Sequence, residues 1–408
     1  MKILVLLSHC IPKPRANEIC VSKMISSQKD ACTTYVCTVD DEALLGVREL
    51  EPSVNGRVVP FYYNRPKSFS ERGFFGKICY LLTRLPSVLF SPVYDRAMTK
   101  GFLRTAEKAI KEDAPDMVVA VLQPAAAPEA ARRLKKRYPS PKYLLYDLDT
   151  VSDSSLGRFE KLLFAVYSKK VLRWERKIYG AFDLIVHLDS HKEHFHKKQY
   201  RSYLTKTLFQ GVPLLDIRND CKSGGLREAP VLIYAGRFYP SLREPQHLLD
   251  VLSLANKKRG GRLAVDVYTD GEYVRKISNR YSADDGVFVH DYLSQDEINS
   301  KMEEADVLIS LGNNGTNMFP SKIVTYVALM KPIIHLYQSK DDPVISYLEN
   351  YPDALLLDVG ADINDNAQAI VNFLEAEHMP INRSEIEELY RNNLPAYNMQ
   401  KIIARIGF

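Results

Sequence analysis

Lys322 is the residue with the most pointed chemistry in this chain. It stands in Pro320-Ser321-Lys322. Before it lies a loop rich in Asn and Gly, Asn313-Asn314-Gly315-Thr316-Asn317, and after it an apolar run that stops at Lys331-Pro332. The spacing predicts a helix over residues 321–329. The first turn of such a helix presents free N–H groups and the positive end of a dipole. A lysine there opposes the dipole and calls for an anion; the alternative is a lysine turned to solvent. Two arginines fit the same chemistry. Arg237 follows Gly236 after the apolar run 231–234, and Arg243 stands in Arg243-Glu244-Pro245, which reads as a helix start. Guanidinium groups there suit bidentate contact with a diphosphate. The plainer alternative pairs each with a surface carboxylate.

Other polar residues follow apolar runs in the same way. Asp270-Gly271 follows the run 263–268, and His290-Asp291-Tyr292 follows 286–289. Asp-Gly is a turn signal, and loops so placed hold ligands such as a nucleotide base. Tyr292 reads equally well as a core ring. In the first half, Ser8-His9-Cys10-Ile11-Pro12-Lys13-Pro14 replaces the glycine-rich loop that a dinucleotide needs. A nicotinamide dehydrogenase is thereby disfavoured. His9 is expected to face an acceptor. Asp147 and Asp149 end another apolar run, where a carboxylate orients a hydroxyl, serves as a base or, more plainly, caps a turn. His187, His191, His194 and His196 cluster without a Cys or carboxylate set, so surface histidines are expected and no metal.

These residues must be positioned by alternating elements. Strands are expected at 3–7, 34–39, Met117–Val121, 143–146 and Leu184–Leu188, with helices at 17–27, 102–111, 127–137 and 159–179. The alternation restarts after a loose, polar stretch. Strands follow at 231–234, 263–268, 286–289, Val307–Leu311 and 332–336, with helices at 244–257, Gln295–Glu304 and 321–329. Such alternation predicts two Rossmann-like, doubly wound parallel-sheet α/β domains, with ligands in a cleft at the carboxyl ends of the strands. The expected division is 1–212, a linker 213–229, a second domain 230–383, and C-terminal helices 384–408 packing back on the first.

Composition agrees with this. A chain of 408 residues exceeds one ordinary core. Its hydrophobic fraction of 46% and net charge of +5 suit a globular protein and do not suggest a nucleic-acid binder. The six cysteines show no metal spacing, and reduced thiols in a cytosol are expected. Basic runs at Arg132, Arg133, Lys135, Lys136 and Arg137, and at Arg158, Lys161, Lys169, Lys170, Arg173, Arg176 and Lys177, read first as solvated helix faces. Their other reading is attraction to an anionic membrane surface or a pyrophosphate-linked acceptor. The apolar segment 74–93 is too interrupted to span a bilayer but could lie on one or roof an acceptor cleft.

Several pieces together resemble the GT-B glycosyltransferases, specifically the large retaining group that uses nucleotide sugars (family 4-like, group 1). They are Gly236-Arg237, Asp270-Gly271, Ala305-Asp306-Val307, and Pro320-Ser321-Lys322 through Lys331-Pro332-Ile333. Phe182-Asp183-Leu184-Ile185 through Ser190 and Gln210-Gly211-Val212-Pro213 extend the match. The resemblance implies that Arg237 and Arg243 neutralise a donor pyrophosphate and that loop 312–319 holds the sugar. It implies that no metal or other cofactor is needed. A pair of Glu residues usual in the group is replaced here by Asn317 and Thr325, and the glycine before its Lys-Pro by Met330.

The expected activity is transfer of a sugar from a nucleotide sugar, such as a UDP-sugar, to a saccharide or lipid-linked acceptor. Surface polysaccharide assembly at the cytoplasmic face of the membrane is the expected setting. The replaced Glu pair keeps two other readings open: a non-catalytic GT-B subunit that binds a partner enzyme or glycan, and a nucleotide-sugar epimerase.

Overall fold

The computed structural model describes residues 1–8, 16–40, 56–64, 92–148, 164–217, 225–314 and 319–408. The chain divides into two compact units, Met1–Pro213 with Pro395–Phe408, and Leu214–Leu394.

The first unit is built on a seven-stranded parallel sheet. Its strands are β1 (Lys2–Leu6), β2 (Cys32–Val39), β3 (Arg57–Tyr62), β4 (Met117–Val121), β5 (Lys142–Asp147), β6 (Leu184–Leu188) and β7 (Thr207–Gln210), in the order β3-β2-β1-β4-β5-β6-β7. The central strands are apolar on both faces because helices cover both; β4 is buried throughout. Among those helices, Ala126–Arg137 turns Ala127, Ala130, Ala131 and Leu134 inward. Arg96–Asp113 starts earlier than the apolar period suggested, because the Asp95 side chain caps it by accepting from the Met98 N–H at 2.7 Å. The C-terminal helix Pro395–Ile406 belongs to this unit, and the Lys401 ammonium donates to the Phe209 carbonyl at 3.1 Å. Helix Arg383–Leu389 belongs to the second unit.

The second unit holds a six-stranded parallel sheet. β8 (Val231–Ala235), β9 (Ala264–Tyr268), β10 (Val287–His290), β11 (Val307–Leu311), β12 (Ile333–Tyr337) and β13 (Ala354–Asp358) run in the order β10-β9-β8-β11-β12-β13. Leu232, Val265, Val267, Val307, Ile309 and Ile334 meet the helices Gln246–Lys258 and Ile363–Glu375 in its core. Helix Gln295–Glu304 opens with a capping box between Ser294 and Glu297.

Both sheets use one device at their amino ends. An aspartate just before a strand accepts an N–H from the first or second residue of the neighbouring strand. Asp116 takes the Lys2 N–H at 2.7 Å, Asp183 the Tyr143 N–H at 2.8 Å and Asp306 the Val231 N–H at 2.7 Å. Asp183 and Asp306 are two of the residues that carry the resemblance. Their work is structural, at the amino ends of the sheets.

Three strands escaped the sequence reading. β3 and β13 are sheet edges, only partly buried, and β3 carries Pro60. β7 is a four-residue edge.

Candidate functional site

The strand order of the second unit reverses between β8 and β11, and in open α/β sheets ligands bind at that switch point, beyond the carboxyl ends. Gly236 leaves β8 and donates its N–H to the Tyr268 carbonyl at 3.0 Å. The chain then folds back in a tight turn: Tyr239 and Arg243 exchange backbone hydrogen bonds at 3.1 and 2.9 Å, with Ser241 left-handed at φ 62°. Glu244 steadies the turn by accepting from the Ser241 N–H at 3.1 Å. The helix starts only at Gln246, so Arg243 belongs to the turn and not to a helix start.

The turn carries Arg243 to the exit of β11. Its Nε and Nη2 both donate to Asn313 Oδ1, at 3.0 and 2.7 Å, and Asn313 is buried. Lys322 reaches the same place from the other side. It does not project to solvent: its half-buried ammonium donates to the Ala235 carbonyl, the last residue of β8, at 2.8 Å. Burial first, and the Arg243 charge second, lower its pKa from 10.5 to about 8. Among the described residues, neither Lys322 nor Arg243 makes an ion pair. Two cations thus share one end of the sheet with neutral oxygens as their only described partners. Tyr234 lies beneath them. Burial raises its pKa to about 12, Arg243 pulls it the other way, and among the described residues its hydroxyl has no partner at ordinary hydrogen-bond geometry.

The helix expected at 321–329 spans Lys322–Ala328, two turns, with no side-chain cap from Ser321. So short a helix has a small dipole. The case for an anion moves from the helix end to the two side-chain cations.

A second group lies further out along the strand ends. Arg237 Nε pairs with Asp270 at 2.8 Å, and its guanidinium sits 5.7 Å from the centre of the Tyr292 ring. Tyr292 is 56% exposed, so it is not a core ring. Gly271 holds φ 65°, a conformation that suits glycine, and leads into helix Glu272–Ser278. His290 is turned away: its Nε2 lies 2.8 Å from Asp266 and its ring stacks on Tyr268. Asp291 and Asn314 are exposed, while Pro320, Ser321 and Thr325 are half-buried. His9, Asp149, Gly315, Thr316 and Asn317 lie outside the described residues, as do Cys10, Cys79, Cys221, Arg158, Lys161 and segment 74–91.

Other expectations change. Asp147 is fully buried and accepts from the Tyr179 hydroxyl at 2.7 Å, so it is a packing residue. His187 is not a surface histidine: it is buried, its Nδ1 accepts from the Leu188 N–H, and its ring packs on Phe195. Among the described residues no group of three or more His, Cys, Asp or Glu is placed to hold a metal ion. Nor is any described helix long and apolar enough to cross a membrane. Much of the first basic run is paired within the fold: Arg132 and Arg133 bind Glu129, Lys135 binds Asp183, and Arg137 binds Glu107. The buried Lys331 ammonium donates to the carbonyls of Glu303 and Ala305 at the end of helix Gln295–Glu304, a structural cap.

The sequence reading missed Gln338, Asp342 and Tyr234. The signal for the first two is present: both are polar residues shortly after β12, the pattern that marks the other strand exits.

No protein-family model matches the chain. No curated protein matches it either. Solved structures do. The lipopolysaccharide outer core galactosyltransferase WaaB is 13% identical, with 100% of this chain and 99% of that one covered and a TM-score of 0.52. A glycotransferase of kitacinnamycin is 14% identical, with 99% of each chain covered and a TM-score of 0.53. S. aureus TarM, as a point mutant in complex with Fondaparinux, alpha-GlcNAc-glycerol and UDP, is 11% identical, with 99% and 98% covered and a TM-score of 0.55. At such identities the likeness is one of fold, and it runs the length of the chain. The chain has the GT-B fold, two Rossmann-like parallel-sheet domains, and it shares that fold with these glycosyltransferases.

Proposed function

We propose that the chain is a glycosyltransferase that moves a sugar from a nucleotide diphosphate sugar to a saccharide or lipid-linked saccharide acceptor. One observation carries the reading. Lys322 and Arg243 meet at the switch point of the second unit's sheet and, among the described residues, have only neutral partners, Ala235 O and Asn313 Oδ1. Two neighbouring cations repel, and a dianion relieves that repulsion.

The chemistry follows from the charges. When the bond between the sugar and the diphosphate breaks, the electron pair stays on the departing phosphate oxygen. Lys322 and Arg243 then face more negative charge in the transition state than in the ground state, which is the condition for catalysis by electrostatic stabilisation. The two side chains supply the positive charge this step needs, so the reading assigns no metal ion. Arg237, already paired with Asp270, is the weaker phosphate ligand, and the exposed ring of Tyr292 offers a face to the base. The loop containing Asn313, Asn314, Gly315, Thr316 and Asn317 is assigned the sugar. On the acceptor side, His9 and Asp149 are assigned from sequence alone. Retention of anomeric configuration, a role in surface polysaccharide assembly and a place at the cytoplasmic face of a membrane belong to the same proposal. The exposed Lys169, Arg173, Arg176 and Lys177 on helix Phe164–Ala181 are the residues that would meet an anionic surface.

Calorimetry with UDP, GDP and ADP tests the reading. One of them should bind the parent, and Lys322→Ala and Arg243→Ala should each weaken that binding at least tenfold. Parent-like affinity in both variants would sink the assignment.

A further inference from the structure

We propose that Gln338 is a positioning residue that locks Arg243 and Asn313 into one anion-binding unit. The inference rests on the donor-site reading above and deepens it. Gln338 follows β12, and its side-chain amide has two N–H donors, both of which are used. Nε2 donates to the Gly312 carbonyl at 2.6 Å and to the Leu242 carbonyl at 3.2 Å. Those carbonyls belong to the residues immediately before Asn313 and Arg243. The clamp therefore sits one residue from each end of the Arg243–Asn313 contact.

The same two loops are stitched from the other side. The Asn314 N–H donates to the Leu242 carbonyl at 2.7 Å, and its side chain reaches the Ser241 carbonyl at 3.4 Å. The floor is rigid. A Cβ placed on Gly312 would lie 2.1 Å from Asp342 Oδ2, so only glycine lets the chain pass over that carboxylate. Asp342 is held in turn: its Oδ1 accepts from the Val344 N–H at 2.9 Å, and its Oδ2 lies 3.3 Å from His335 Nε2.

Arg243 needs this restraint. It sits in a turn and not on a helix or strand, and a free arginine loses much rotamer entropy on binding. Asn313 fixes the Nε/Nη2 edge of the guanidinium, but only while Asn313 keeps its own place. Gln338 fixes the distance between the two loops and so presents the guanidinium pre-ordered to a phosphate.

Gln338→Met keeps the length and removes both donors. Gln338→Asn keeps the amide but is one methylene too short to span both carbonyls. Each is titrated calorimetrically with UDP, GDP and ADP beside the parent, Arg243→Gln and the double variant Gln338→Met/Arg243→Gln, with the melting temperature recorded for all. The expected result is a loss of roughly tenfold in diphosphate affinity for Gln338→Met, and a smaller loss for Gln338→Asn. The double variant should bind no more weakly than Arg243→Gln alone, since Gln338 acts through Arg243. A merely structural glutamine would give additive losses. Additive losses, or parent-like affinity in Gln338→Met, overturn the proposal. If that variant does not fold, parent-like affinity in Gln338→Asn overturns it equally. A parent that binds none of the three diphosphates overturns the site reading itself, and the clamp with it.

Discussion

On the proposed donor-site reading, Lys322 should make nucleotide binding pH-dependent, with a sign set by its burial and by Arg243. In the free protein, burial and Arg243 hold its pKa at about 8 against an ordinary 10.5. A bound diphosphate favours the charged form and lifts the pKa back towards its ordinary range. Ligand therefore binds best where Lys322 is already protonated, below about pH 8, and affinity falls as pH rises through that value. With Lys322 about nine-tenths charged at pH 7 and about one-tenth at pH 9, the apparent Kd rises roughly tenfold across that interval, or ~1.4 kcal/mol. The same linkage predicts proton uptake on binding, close to one proton per ligand near pH 9 and roughly a tenth of one near pH 7. The terminal phosphate of a nucleoside diphosphate titrates near pH 6, so its contribution falls away above pH 8. Calorimetry in two buffers of different ionisation enthalpy reads the proton count directly. Lys322→Met should bind weakly with a flat profile over pH 8–9. A parent with equal affinity at pH 7 and pH 9 and no proton uptake at pH 9 would refute the reasoning, because its Lys322 would then carry no burial cost for an anion to relieve.

Four further outcomes concern Lys322, Lys331 and Met330. Lys322→Met should stabilise the ligand-free protein at pH 7 by ~1 kcal/mol, since a lysine whose folded pKa is depressed costs stability while charged; the full ~3 kcal/mol of the shift is reduced by solvent at a half-buried group and by the Ala235 carbonyl that the variant strands. In the parent, stability should rise with pH between about 8 and 10.5, where the unfolded chain holds the extra proton, and denaturant melts at pH 7, 9 and 10 test both statements. Lys331→Met should cost ~2 kcal/mol by stranding the Glu303 and Ala305 carbonyls, yet leave diphosphate affinity unchanged. Met330→Gly should lose ~1 kcal/mol on chemical denaturation: relief of the left-handed φ of 50° returns ~1 kcal/mol, but the side chain is 7% exposed and its burial is worth ~2 kcal/mol.

The alternation of apolar runs was enough to read two doubly wound domains, because buried parallel strands are apolar on both faces and stand out between helices. Edge strands do not stand out: β3 carries Arg57 and Pro60 and is only partly buried. The chemistry at the strand exits was legible as residue type, not as direction. Lys322 looked like a helix-end cation, and its inward turn follows from the Ala235 carbonyl, a backbone group remote in sequence. Arg243 looked like a helix start. Its hold on Asn313 comes from a turn closed by Tyr239, and a left-handed Ser241 leaves little trace in sequence.

The motifs that carry the resemblance divide by function. Asp183 and Asp306 close strand ends, and Lys331 caps a helix. Each satisfies backbone groups that any protein of this fold must satisfy, whatever it binds. Gly236 lets the chain leave β8 beneath Arg243, and a Cβ there would press on the Tyr234 hydroxyl at 3.1 Å. Among the described residues, the groups that the proposed reading leaves to a ligand are Lys322, Arg243 and the exposed Tyr292. Of these, Lys322 alone lies in the shared pieces and Arg243 matches only approximately. Donor choice should therefore follow Tyr292 and its neighbours, while the diphosphate grip follows Lys322 and Arg243. Tyr292→Ala tests that division. It removes a stacking face worth ~1–3 kcal/mol to a base and touches no phosphate ligand except Arg237, whose pair with Asp270 remains. It should weaken the preferred nucleoside diphosphate roughly tenfold or more and compress the differences among UDP, GDP and ADP. Pyrophosphate itself should bind as tightly as it does to the parent. Equal losses for pyrophosphate and for the nucleotides would mean that the ring supports the phosphate site instead of reading the base.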